Sequence, residues 1–119
     1  GGQMGPTTLL GQVTTTTPFG RSAELNGYPM HVAEQIAMQK GTAFSARVSL
    51  DSVQNIMKAQ KAIKRACEVQ IKKLGYGFVE VLSACPTNWK MSPMDANKHI
   101  RENLIKEFPL GVFKDVMEE

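Results

Sequence analysis

Between Phe44 and Leu82 the apolar pattern of this 119-residue chain changes period twice, which limits its folds more than any other feature. Phe44, Ala46, Val48 and Leu50 alternate with Ser45, Arg47 and Ser49, a period of two that predicts a strand. Asp51 and Gln54 then stand three apart in the pattern of a capping box, and a long helix is expected from Ser52 to Leu74, stopped by Gly75. Its apolar stripe reads Ile56, Ile63, Cys67, Ile71 and Leu74, with Lys58, Lys61, Arg65 and Lys72 on the opposite side. Phe78, Val79, Val81 and Leu82 follow as a nearly continuous apolar run, the mark of a strand covered on both faces. Strand, helix and strand in this order form a β-α-β unit with parallel strands and a right-handed crossover, so the fold class is α/β.

The flanks carry weaker signals. Residues 30–39 place Val32, Ala33, Ile36 and Ala37 at helical spacing before Gly41. Ser92, Pro93 and Asp95 open another helix, with Ser as N-cap, Pro in the first turn and Asp beside the positive dipole end. Ile100, Leu104 and Phe108 give that helix an apolar side, and the tail from Leu110 to Asp115 reads as irregular. Residues 1–29 are dense in Gly, Pro and Thr and show neither period. A connection of that length in a compact domain is usually functional or disordered. Within it the run Thr14, Thr15, Thr16 and Thr17 reads either as plain extended chain or as a wall of hydroxyl donors, with Arg21 as an anion anchor.

Composition excludes several classes. A 42% hydrophobic, 21% charged chain is neither disordered nor collagenous, and its length suits one domain at most. The formal charge of +3 is too small to name a partner. No apolar run is long enough to span a bilayer and the start lacks a signal-peptide pattern, so the reducing cytoplasm is the expected compartment. The chain begins at Gly1 rather than Met, which leaves processing or a start inside a longer polypeptide open.

Two cysteines, eighteen positions apart, supply neither a disulfide framework nor a self-contained metal site. Cys67 falls in the helical stripe and is expected as a small core residue. Cys85 follows the second strand, at the edge where open α/β sheets bind ligands, in the loop Cys85-Pro86-Thr87-Asn88-Trp89. It is either a buried, inert thiol or an iron–sulfur ligand tuned by Thr87 and Asn88, with three thiolates from elsewhere. His31 and His99 fall at helical positions without visible partners, and no phosphate-binding glycine motif is present. The basic residues of the long helix are either a solvated face or, in the alternative reading of the chain, the contact surface of a non-catalytic interaction or nucleic-acid-binding module.

Four separated segments carry a resemblance: Gly1-Gly2-Gln3-Met4, residues 14–21, residues 79–89 and residues 109–115. In these the chain resembles the carboxyl-terminal part of the thiamine diphosphate-binding beta subunit of 2-oxoacid:ferredoxin oxidoreductases, of the 2-oxoglutarate or branched-chain type. The resemblance covers roughly Gly1 to Asp115 and implies that residues 1–119 are a single partial domain, with 1–29 the cofactor- and substrate-side loop region. It implies oxidative decarboxylation of a 2-oxoacid with coenzyme A to acyl-CoA, with electrons passing to ferredoxin, in an assembly with an alpha subunit and other subunits. The implied cofactors are thiamine diphosphate, Mg²⁺ and a 4Fe-4S cluster; no nucleic acid and no membrane are implied. By the same resemblance Gly1, Gly2 and Gln3 lie beside the thiamine cofactor, Thr14 to Thr17 and Arg21 line the substrate side, and Cys85 is a cluster ligand. No catalytic residue is assigned. The acidic motif that holds magnesium in this family is missing, as are three cluster cysteines, so the chain by itself is expected to be inactive.

Overall fold

A computed structural model describes residues 4–85 and 89–117. The chain divides into two compact units, Gly1–His31 with Ser83–Phe108 and Val32–Leu82 with Pro109–Glu119.

The second unit contains the expected β-α-β motif. Helix α2 (Val32–Ala37) leads into β1 (Thr42–Ser49), α3 (Val53–Ile71), β2 (Tyr76–Leu82) and β3 (Gly111–Asp115). The preceding α1 (Ala23–Asn26) is a single turn in the first unit. The sheet order is β2-β1-β3, with β1 parallel to β2 and antiparallel to β3. The tail is therefore a strand and not irregular: Val112 pairs with Ala46 and Lys114 with Ser45. Its pattern is too short to announce itself, and pairing with a finished strand supplies the order.

Every residue of β1 is buried. Phe44, Ala46 and Val48 pack with Ala59, Ala62 and Val69 of α3, forming the core on one face. Ser45 and Arg47 alternate with these and meet α2, where Ser45 donates to the Ala33 carbonyl (2.7 Å) and Arg47 pairs with Glu34; Thr42, before a register shift in the strand, donates to the Ile36 carbonyl (2.7 Å). A period-two pattern thus marks two covered faces of different polarity, each donor satisfied as burial requires.

Helix α3 is turned from its expected orientation. Its buried residues are Ala59, Ala62 and Val69, while Ile63 and Ile71 are exposed and so is Cys67. Close approach selects the alanine stripe: a Cβ added to Gly77 of β2 would lie 2.8 Å from the Ala66 carbonyl oxygen. Large side chains on the contact face would hold the helix farther off. Cys67 is accordingly not a core residue.

Both ends of α3 also differ in register from the expectation. Ser52 is the N-cap, accepting from the Asn55 amide, because the Asp51 carboxylate is engaged by the Ser49 hydroxyl and by the Asn55 side chain. The helix closes at Ile71 with amides of Lys73 and Leu74 donating to carbonyls of Gln70 and Val69, a Schellman arrangement. Lys73, at φ 58°, takes the left-handed position assigned to Gly75.

Arg47 is the largest fully buried side chain of this unit. Its guanidinium ion-pairs with Glu34 of α2 and Glu80 of β2, donates to the Pro109 carbonyl (3.1 Å) and lies over the Phe113 ring. One cation thereby ties four segments together.

In the first unit, Ser92 caps α4 (Pro93–His99) through the Asp95 amide, as expected from the sequence. A π-helical turn, Ile100–Leu104, and a short α5 (Ile105–Glu107) continue it. Ile100, Leu104 and Phe108 are buried, as their spacing predicts.

Candidate functional site

The Thr-rich loop is a closed, self-bonded structure. The amides of Thr14 and Thr17 each donate to the other's carbonyl, and their hydroxyls contact one another. Both side chains are buried, whereas Thr15 and Thr16 are exposed. The Thr16 hydroxyl accepts from the Met4 amide (2.8 Å). Two of the four hydroxyls are thus spent on the turn, and Thr15 and Thr16 face outward.

Arg21 closes the base of this loop. It is 6% exposed, and its guanidinium donates to the carbonyls of Gly5 (2.7 Å), Thr8 (2.9 Å), Gly27 (3.0 Å) and Tyr28 (3.0 Å). Four of the five N–H donors of the fork are engaged by main chain. The sequence suggests an anion anchor; in the structure Arg21 holds the loop itself. The close approach of Gly20 to Gly11 works to the same end, since at φ +90° an added Cβ would lie 2.8 Å from the Gly11 carbonyl oxygen. At the turn beyond, Phe19 is fully exposed, a large apolar side chain to which spacing gave no role.

Cys85 is half-buried, forms no disulfide, and its carbonyl accepts from the Trp89 amide (2.9 Å). The Trp89 ring meets His99 edge-on at 5.2 Å, and a hydrogen bond joins His99 Nδ1 to the Asn103 amide (3.1 Å). His99 Nε2 is buried with no partner among the described residues. Desolvation holds the His99 pKa below its ordinary value, so the ring favours its neutral form. Sequence reasoning missed this histidine because its ring partner stands ten positions away, across a loop. His31 pairs with Glu107 (3.1 Å) and its ring meets that of Phe108 at a tilt of 39°, a packing role.

Gly1, Gly2 and Gln3, together with Pro86, Thr87 and Asn88, lie outside the described residues.

No family profile matches the chain, and no solved structure does. Among curated proteins the ketoisovalerate oxidoreductase subunit VorA of Methanothermobacter thermautotrophicus is 47% identical over 97% of the chain. The chain is homologous to subunits of 2-oxoacid oxidoreductases. The 2-oxoglutarate synthase subunit KorB of Archaeoglobus fulgidus is 34% identical over the whole chain, and that of Methanocaldococcus jannaschii 32%. The chain spans 24% of the length of the VorA relative and 44% and 40% of the two KorB relatives.

Among the described residues no group of three or more His, Cys, Asp or Glu side chains converges on a metal position. Cys85 alone does not make a cluster site, which takes four thiolates. The described residues therefore do not fit a complete metal or cluster site. No helix of the described residues is long and apolar enough to cross a membrane.

Proposed function

We propose that the chain is part of a CoA-dependent 2-oxoacid:ferredoxin oxidoreductase, and that it forms one side of the cavity in which the 2-oxoacid reacts. The observation that carries this reading is 47% identity to a ketoisovalerate oxidoreductase subunit across 97% of the chain. The lower identity to 2-oxoglutarate synthase subunits favours a branched-chain substrate over 2-oxoglutarate. The overall conversion takes a 2-oxoacid and coenzyme A to acyl-CoA, CO₂ and a proton, with two electrons leaving for ferredoxin. Thiamine diphosphate supplies the carbanion chemistry and an iron–sulfur cluster the electron path, each completed by ligands beyond the described residues.

Within this reading Gly1, Gly2 and Gln3 border the thiamine cofactor and Thr15 and Thr16 face the substrate side. Arg21 is a positioning residue, since it touches main chain and holds the hydroxyls in place. Cys85 contributes one thiolate to the cluster. Other subunits, an alpha subunit among them, complete the enzyme, and the cytoplasm is its compartment.

The test is CoA-dependent reduction of a viologen dye by the complete enzyme. Turnover with 3-methyl-2-oxobutanoate above that with 2-oxoglutarate supports the reading; no turnover with any 2-oxoacid overturns it. Iron content reads Cys85 separately. Cys85→Ser is expected to lower bound iron, and an unchanged content removes the ligand assignment.

A further inference from the structure

Helix α3 packs over β1 and β2, where Phe44, Ala46 and Val48 are buried beneath it, and leaves Val112 of β3 open on the same side of the sheet. The result is a groove of about 620 Å³ whose floor includes Phe44, Ala46, Val48 and Val112. Val112 is 54% exposed there. Along the α3 rim stand Lys58, Lys61 and Lys64, all exposed and without an ion pair among the described residues. At three-residue spacing they rise by about 4.5 Å per step, a row of charge parallel to the groove. The two acidic residues of the lining do not neutralise them, because Asp115 and Glu68 both face Arg65, at 2.9 and 4.0 Å.

The polar groups decide what such a groove takes. A small-molecule site needs a few buried polar atoms that fix the ligand's orientation. Here the polar side chains Ser49 and Asn55 of the lining both donate to Asp51, and Arg47 is held by Glu34 and Glu80. Nucleic acid is disfavoured because the one aromatic side chain of the lining, Phe44, is buried at 2% exposure and cannot stack on a base. An apolar floor with charge along one rim matches a helix with one apolar side flanked by carboxylates, and an uncovered sheet face is ordinarily closed by a helix.

We propose that this groove docks an acidic amphipathic helix from another subunit of the oxidoreductase, its carboxylates meeting Lys58, Lys61 and Lys64. The proposal rests on the reading of the chain as a subunit of that multi-subunit enzyme. Charge complementarity selects the occupant: three cations without an ion pair among the described residues, set beside apolar surface, call for carboxylates on an apolar segment.

The experiment treats the assembled enzyme with a water-soluble carbodiimide, which joins amines to carboxylates without a spacer, and maps the products by mass spectrometry. Links from Lys58, Lys61 or Lys64 to Asp or Glu of another subunit are expected. In the same complex these lysines should be acetylated more slowly than exposed Lys72. The triple variant K58E/K61E/K64E should weaken subunit association by about tenfold or more, with the loss growing as salt is lowered. Links confined to the same polypeptide overturn the proposal, as does acetylation as fast as at Lys72, or a copurifying nucleic acid or small anion that protects the lysines. Dye reduction by the unaltered enzyme is scored separately. A working enzyme with freely acetylated lysines fails the docking proposal alone, whereas an assembled complex without turnover fails the functional reading alone.

Discussion

Replacing Arg21 by lysine distinguishes a loop clasp from an anion anchor. The guanidinium reaches four carbonyls at 2.7–3.0 Å from three nitrogens spread over a rigid fork. A single ammonium cannot span carbonyls from Gly5, Thr8, Gly27 and Tyr28, and would satisfy two at most. Hydrogen bonds from a charged donor contribute about 1.5–3 kcal/mol each, and they do not add fully. Losing two in a site only 6% exposed should cost about 3–5 kcal/mol of local stability. That corresponds to about 10²- to 10⁴-fold faster amide exchange where opening is local. The amides to follow are Gly11, Gly20 and Arg21, which close the loop through main-chain bonds. In the 2-oxoacid oxidoreductase proposed above, Arg21→Lys should behave like Arg21→Ala, with lost protection and lost turnover together. If Arg21→Lys keeps both protection and the KM for the 2-oxoacid while Arg21→Ala loses only the KM, the clasp is refuted and charge is what matters.

The remaining expectations concern stability. Arg47→Met should cost about 3–5 kcal/mol in denaturant unfolding, because Glu80 and Glu34 lose a buried partner, and adding Glu80→Gln should recover part of that loss. Gly77→Ala drives a methyl toward the Ala66 carbonyl at 2.8 Å and should cost about 1–3 kcal/mol, seen as a lower urea midpoint. His99 has a folded pKa held below its unfolded value, so the folded state binds fewer protons. Its contribution is present above about pH 6.5 and is lost as pH falls through the folded pKa, so stability should decline with acidification over that window. His99→Gln should flatten that slope.

The sequence made the framework legible where one period governed many residues. The alternation from Phe44, the helix that follows and the second strand all stand where spacing placed them, and so does the buried line Ile100, Leu104 and Phe108. What failed were choices between two plausible faces or two adjacent caps. The larger Ile63 and Ile71 outweigh alanines on any hydropathy count, yet the helix sits on Ala59 and Ala62, where Gly77 permits contact. Ser52 and Asp51 are both capping residues, and the bonds to Ser49 and Asn55 settle which one caps. In the candidate site the threonine run was visible as composition, but the clasp at Arg21 was not. Its acceptors are main-chain carbonyls, which leave no trace in side-chain pattern.

The central position of β1 bears on how the chain is made. Its Arg47 meets the Pro109 carbonyl across a separation of 62 residues, and its antiparallel neighbour begins only at Gly111. On a ribosome the strand emerges well before that neighbour, with the whole Ser83–Phe108 stretch synthesised in between. Throughout that interval β1 presents an unfilled hydrogen-bonding edge and a cation lacking part of its cage. Such nascent intermediates are targets for holding chaperones, and slowing translation after residue 82 should prolong their capture.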